Sequence, residues 1–385
     1  MIIHTFCIVF RKKERWLTEK GTYISKKIVN KTWDLFDDIE EELDEGDVPE
    51  KFASCYEYME SRLKDGMKKF GQEDHAHVRA IFNSLTSDLG LYEGDDLKLV
   101  SAQLYHIGEE IADDDFALPN GFSGVLETLK QHIPEKAFKF SRHVTQINWK
   151  DERTARIVCK VNNSVEEFYA DHVIVTCSLG HLKQYHDSLF NPALPKCKVD
   201  AIERMGFGNV EKVFLYYETP FWKKGDGRFR IAWDTLDDAF KAEYWFKSIF
   251  SFREVLTCPN VLLAWVHGSA VQHMESLTDD QIMGTCTEIL RKFLNTKDIP
   301  HPTKIRRSCW STDSLFLGAY SYNSVTSQKN DVSDIAEPII VDGKPVLCFA
   351  GEATHVKWFS YAHGAISSGI READRIIGFI RDNSM

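Results

Sequence analysis

No stretch of the 385-residue sequence approaches the ~20 consecutive apolar residues that a membrane-spanning helix needs. Cys-x-x-Cys pairs are also missing. The nine cysteines lie scattered at positions 7, 55, 159, 177, 197, 258, 286, 309 and 348. An odd, unpaired set argues against a disulfide framework or a zinc site and predicts reduced thiols. A basic excess is absent too: 47 Lys and Arg stand against 58 Asp and Glu, a net charge of -11. That balance argues against nucleic-acid binding and favours a cationic ligand through long-range steering. The apolar start, Met1 to Phe10, is short, and its basic cluster Arg11-Lys12-Lys13 follows it. A signal peptide carries that charge in front. The end, Asp382 to Met385, is not a Ser-Lys-Leu-type peroxisomal address. The expected setting is cytoplasmic.

The composition itself, 43% hydrophobic over this length, suggests two domains. Aromatic residues are abundant, with 25 Phe, 13 Tyr and 9 Trp, and most must be core.

Hydrophobic spacing predicts three early helices. One carries Trp33, Leu35, Phe36, Ile39 and Leu43 and runs into the acidic stretch Asp37 to Glu50, a solvated face leading to a loop. The others cover Tyr56 to Phe70 and Val78 to Leu89. A turn at Asn120-Gly121 and an N-cap at Ser123 predict a further helix. Phe138 to Trp149 reads as a strand entering a ribbon that runs through Val161. Val173 to Gly180 is a continuous apolar run, as in a strand buried on both faces. Gly206-Phe207-Gly208 looks like the start of a dinucleotide loop, but Glu211 stands where its third glycine belongs, and the pattern that follows is a strand. Val213, Leu215 and Tyr217 alternate with Phe214 and Tyr216, and Lys212 sits at the strand entrance. Asn260 to His267 reads as another strand and Thr278 to Leu294 as another helix.

The most informative stretch lies near the end. Val346 to Phe349 is a short apolar strand that breaks at Gly351, and a helix follows from about Ala362. Its apolar stripe is Ile366, Ile370, Ala373, Ile376, Ile377 and Ile380. A strand, a glycine and a helix N-terminus make a place for electron-rich oxygens, since the free N–H groups attract them. Gly364 and Gly369 admit a close approach to the backbone. Glu352 cannot favour a phosphate, being negative itself. A carboxylate there suits sugar or ribityl hydroxyls.

Phe349-Ala-Gly-Glu-Ala-Thr354, followed by His363-Gly-Ala365, Ser368-Gly369, Arg371-Glu-Ala373 and Arg375-Ile376, resembles the C-terminal signature of the flavin-dependent amine oxidases. That family includes polyamine oxidases, monoamine oxidases and the histone lysine demethylase. Gly206 to Trp222, Arg307 to Tyr322, Val173 to Leu182 and Gly121 to Leu129 are similar to further motifs of the family, and the likeness runs from about residue 15 to 380. It implies an α/β, two-domain flavoprotein fold with a mixed-sheet substrate domain. On that fold, residues 1–116 form a helical arm of the substrate domain and 196–335 its sheet and helices, while 117–195 and 336–385 belong to the FAD-binding domain. The resemblance implies FAD as cofactor and the oxidation of a polyamine such as spermine, spermidine or an acetylated form. A secondary amine, with dioxygen, would yield an aldehyde, an amine and hydrogen peroxide.

Residue by residue, it gives Lys212 the role of holding water against the flavin, and Tyr320 and Tyr361 that of an aromatic pair around the substrate nitrogen. Trp310 would lie on the flavin, with Val144, Gly351, Glu352, Ala362, His363, Gly364 and Ala365 in the cofactor site. Where many relatives carry a tunnel glutamate, this chain has Thr86, with Asp88 nearby.

One family feature is not found: the opening βαβ unit with Gly-x-Gly-x-x-Gly, which would place a helix N-terminus at the pyrophosphate. Without it, sheet edges should stand unpaired. Two readings therefore stay open. One is an active oxidase of which this is the catalytic and C-terminal portion; the other is a non-catalytic, amine-oxidase-like binding partner. A demethylase-like role is a third, less favoured because its helical insertions are not seen.

Overall fold

The computed structural model describes residues 14–108, 121–151, 154–236, 241–255 and 257–383. The apolar start and Asn120 of the expected turn fall outside these.

The three early helices form where the apolar spacing puts them. Lys26–Asp44 buries Trp33, Leu35, Phe36, Ile39 and Leu43 on one stripe, and its acidic end gives way to a loop. Cys55–Gly66 begins with a reciprocal capping box between Ser54 and Glu57, which satisfies two otherwise orphaned N–H groups. His75–Glu93 buries Val78, Ile81, Phe82, Leu85 and Leu89, then stops at Gly94 in the left-handed conformation. Together with Trp16 and Tyr322 the three helices share one core.

A second core lies under a six-stranded sheet. Its order is Arg15–Thr18, Arg228–Ala232, Ser251–Val255, Cys258–His267, Val210–Tyr216 and Lys304–Arg307. Only the first pair is parallel. Val213 and Leu215 point into this core, where Ile282, Cys286, Leu290 and Phe293 of the helix Asp279–Leu294 meet them. Thr278 and Gln281 cap that helix.

The remaining segments form a third core. A three-stranded sheet runs Ile339–Val341, Lys344–Phe349, Val173–Val175, the last pair parallel. Beside it, His143–Asp151, Thr154–Val161 and Ser164–Ala170 make an antiparallel meander, and Phe190–Asn191 adds a short parallel strand. The architecture is α/β with mixed sheets.

Several local expectations change. Ser123 is the first residue of the helix Ser123–Lys130 rather than its cap; Phe122 holds the cap position without a side-chain bond. The ribbon strand begins at His143, not Phe138. The strand expected to be buried on both faces is three residues long and leaves Ile174 exposed. Val173–Val175 is an edge strand among the described residues, with no strand paired on one flank there. The final helix, Ala362–Asn383, is inverted relative to its apolar stripe. Its buried positions are Gly364, Ser368 and Glu372, while Ile366, Ile370, Ile377 and Ile380 face outward.

Candidate active site

The strand Lys344–Phe349 delivers the chain to Gly351, whose φ of 140° opens a turn with no neighbouring atom on the side where a Cβ would stand. The short 3-10 turn Glu352–Thr354 follows, then the N-terminus of Ala362–Asn383. Side chains of that helix hold the junction. Ser368 Oγ accepts from Gly351 N–H at 2.9 Å and donates back to Gly351 O at 3.1 Å. Arg371 donates to the carbonyls of Phe349 and Thr354, both at 2.7 Å. Fully buried Glu372 forms ion pairs with both Arg371 and Arg375. The inward face of the helix is polar for this reason: it fastens the turn.

Glu352 ties the short strand Ser321–Tyr322 to the turn at Ser360. Its Oε2 accepts from Ser321 Oγ at 2.6 Å and from Ser360 N–H at 2.7 Å. Ser360 Oγ in turn donates to Ser321 O. Burial raises the Glu352 carboxyl above its ordinary value, and these donors act against that shift. The side chain expected to meet sugar hydroxyls thus already serves donors of its own chain through Oε2.

The aromatic residues cluster here. Tyr361 stacks on His363 with ring centroids 5.1 Å apart, and Tyr361 is 45% exposed. Tyr320 is buried deeper, donates its hydroxyl to Leu91 O, and has its phenol pushed well up by desolvation. It belongs to a small cluster with Trp265, Val210 and Phe250. Lys212 pairs with Trp265 in the sheet register, and its Nζ sits 4.6 Å from that ring's centroid. Lys212 is exposed, yet the protein around it desolvates the ammonium enough to lower its pKa. Trp310 stands 43% exposed, edge-on to Phe316 at 5.0 Å.

Tyr320, Glu352, Tyr361 and His363 lie around one junction through Ser321 and Ser360, while Lys212 lies against Trp265, which packs in the Tyr320 cluster. Ala362 and Ala365 flank His363 in the first helical turn. Gly364 lies in that turn too, but the space over it is filled by the Trp358 carbonyl oxygen, so its missing Cβ admits the protein's own backbone. Val144 lies on the ribbon strand at the border of the third core. Thr86 is buried, with its hydroxyl donated back to Phe82 O at 2.9 Å. Asp88 is engaged in ion pairs with Arg230 and Arg253.

Three features suit a planar, hydrogen-bonding cofactor such as a flavin. Gly351 offers an open cradle. Trp310 and Tyr361 stand 43% and 45% exposed. His363 Nε2 is buried without a hydrogen-bond partner among the described residues. The first N–H groups of a helix, here at Ala362, His363 and Gly364, also lack intrahelical acceptors.

Other members of the site are not apparent from the motifs alone. Burial and its Asp96 neighbour push Asp95 up to about 7, and Tyr322 donates to it at 3.3 Å. Glu211 and Glu275 lie under Trp310, and Trp310 N–H donates to Glu211 at 2.6 Å. The signal for Glu211 was available: it shares the inward face of its strand with Val213 and Leu215.

The match extends to known proteins. Residues 9–377 fit the model of the flavin containing amine oxidoreductase family, and the chain belongs to that family. It is 29% identical over 348 residues to the peroxisomal N(1)-acetyl-spermine/spermidine oxidase of Bos taurus, covering 84% of this chain and 67% of that protein. With the Homo sapiens protein of the same name it shares 32% identity over 281 residues, 68% of this chain and 55% of that one. The chain thus spans little more than half to two thirds of these relatives' length. Cyclohexylamine oxidase from Brevibacterium oxydans IH-35A has the same fold, with a TM-score of 0.59 at 19% identity over 78% of this chain and 65% of that one. FAD is the cofactor that the family and the site both indicate.

Proposed function

We propose that this chain carries the substrate-oxidising face of a polyamine oxidase, acting with FAD on a secondary amine of spermine, spermidine or their acetylated forms. The carrying observation is the placement of the Lys212 ammonium over Trp265, in the cluster that holds Tyr320, with Tyr320 leading through Ser321 and Glu352 to Tyr361. When bound, FAD supplies the hydride acceptor, and its later reoxidation by dioxygen gives hydrogen peroxide. The chain's own groups position the reactants. Tyr320 and Tyr361 offer ring faces that suit a cationic amine or its newly neutral form. Lys212, with its proton affinity already lowered, orients water beside the reacting carbon and supplies positive charge where oxygen is reduced. The net charge of -11 draws polyamines in. The names of the mammalian relatives support the substrate class. Free thiols at all described cysteines support a reducing, cytoplasmic setting.

A second reading, a non-catalytic binding partner, is favoured by one observation: the open edge at Val173–Val175 beside the outward isoleucines of the last helix. One experiment separates the two. The purified protein is scanned for flavin absorbance and then assayed for peroxide with spermine, spermidine and N-acetylspermine. A yellow, peroxide-producing protein supports the oxidase; a colourless, inert one supports the partner. In the active form, Lys212→Met should lower turnover by about 100-fold, within the range of positioned acid–base groups, while flavin stays bound. Unchanged turnover would remove Lys212 from the reaction.

A further inference from the structure

Two consecutive ionisable residues on the strand Val210–Tyr216 face opposite ways. Lys212 is exposed, whereas Glu211 has no accessible surface. Below it lies Glu275 of the helix Val271–Ser276, also buried. The two carboxylates bind neighbouring backbone groups. Trp310 N–H donates to Glu211 Oε1 at 2.6 Å, and Ser311 N–H donates to Glu275 Oε1 at 3.0 Å. The other oxygen of each, Oε2, is buried with no conventional donor among the described residues. The adjacent N–H groups of Trp310 and Ser311 thus hold the two side chains side by side, and burial, followed by the Glu275 contact, raises the Glu211 carboxyl above its ordinary value. Two carboxylate ions at that range, shielded from water, would repel each other. A single proton between the Oε2 atoms removes the repulsion and satisfies both.

The surrounding groups do not neutralise the pair. Arg307 commits its guanidinium to the carbonyls of Met274, Glu275 and Leu277 and to Asp279. Cys309 lies near both acids, and burial raises its thiol pKa. Lys212 is turned to Trp265 on the other face of the sheet. His267, on the neighbouring strand, is kept neutral by burial. The Ser308 hydroxyl opposes the upward shift of the Glu211 carboxyl but carries no charge to offset the pair.

We propose that Glu211 and Glu275 form a carboxyl pair sharing one proton, and that this pair positions Trp310 by clamping the N–H groups of Trp310 and Ser311. The clamp touches neither substrate nor cofactor; it acts through the turn that carries Trp310, and its importance for the reaction rests on the proposed function. When the shared proton is lost at alkaline pH, two charges stand behind the turn and the turn loosens. The structure thereby builds a pH response into the positioning of the site.

The test compares wild type with Glu275→Gln, whose amide N–H can donate to Glu211 Oε2 where the shared proton stood, and cannot titrate. Hydrogen–deuterium exchange is followed at the Trp310–Ser311 segment as pH rises through neutrality. Wild type should lose protection several-fold beyond the base-catalysed rate seen in an unstructured peptide, and Glu275→Gln should show only that base-catalysed rise. The infrared difference spectrum of wild type minus Glu275→Gln at neutral pH should show a protonated-carboxyl band, the Asp95 contribution being common to both proteins and cancelling. A wild-type pH response retained in Glu275→Gln, or no such band in the difference spectrum, would overturn the pair. If Glu275→Gln does not fold, Glu211→Gln exchanges the roles, and the same difference spectrum is taken against it. Neither readout requires bound flavin, so a colourless protein would count against the oxidase reading and leave this one intact.

Discussion

The six-stranded sheet and the last helix treat isoleucine in opposite ways. Under the sheet, Ile231, Ile249, Ile282 and Ile289 are between 0% and 4% exposed. On the helix Ala362–Asn383, Ile366, Ile370, Ile377 and Ile380 are between 43% and 58% exposed. The first region closes on itself: strands, helices and a capped Asp279–Leu294 bury one another's apolar faces. The second region buries polar residues instead, because Ser368, Arg371 and Glu372 must fasten the Gly351 turn. Its isoleucines are exposed, and Val173–Val175 is an edge strand among the described residues. An apolar stripe therefore announces a contact without naming which contact. Bare faces of this kind in proteins mark surfaces made for further protein or ligand.

The largest effect should come from the packed side. Arg230 is almost fully buried, between the rings of Trp16 and Phe250, with Asp88 as its close ion-pair partner and Glu14 farther off at 3.6 Å. Asp88→Ala should cost about 3–5 kcal/mol in urea unfolding, since it strands a buried charge. A loss under about 1 kcal/mol would mean that Glu14 alone holds Arg230, on the scale of an exposed pair.

Asp95 sharpens the comparison through pH. Its folded pKa is about 7, against about 3.9 for an unfolded aspartate. Between these values the folded state holds a proton that the unfolded state has released, so stability falls as pH rises across that window. Asp95→Asn lacks this loss. It should match wild type near pH ~4 and exceed it by about 2 kcal/mol near pH ~8, read from urea midpoints at both. Equal midpoints at the alkaline pH would show that Asp95 ionises without strain.

On the polar helix face, Ser368→Ala removes both bonds to Gly351. A loss of about 1–2 kcal/mol is expected, with faster hydrogen exchange at Gly351. Unaltered exchange there would mean that Arg371 alone holds the turn. The smallest effect belongs to the bare stripe. Ile370→Lys should change stability by no more than about 0.5 kcal/mol while reducing binding of an apolar dye such as anilinonaphthalene sulfonate. A loss of several kcal/mol would show that Ile370 is covered after all.

Much of the fold was legible in the chain. Spacing alone marked the helices at Lys26–Asp44 and Asp279–Leu294 and the strand at Val210–Tyr216, because each buries one face against a near neighbour. The site was legible as motif rather than as geometry. Lys212 and Glu352 stood out by resemblance; the fold sets Lys212 against Trp265 and Glu352 against Ser321 and Ser360. The two roles that sequence reasoning left vague, Thr86 and Asp88, have partners elsewhere on their helix and sheet. The Glu211–Glu275 contact was harder to see, since one acid lies on a strand and the other on a helix distant in sequence.

The sequence by itself determined the family, the α/β class and the strand–glycine–helix junction, since these depend on local periodicity and on short contiguous motifs. Tertiary structure alone decided which face of the last helix turns inward, which oxygen of Glu352 is taken, and which acids meet beneath Trp310. Those outcomes depend on groups far apart along the chain competing for the same buried donors and the same space, and no local pattern records who wins.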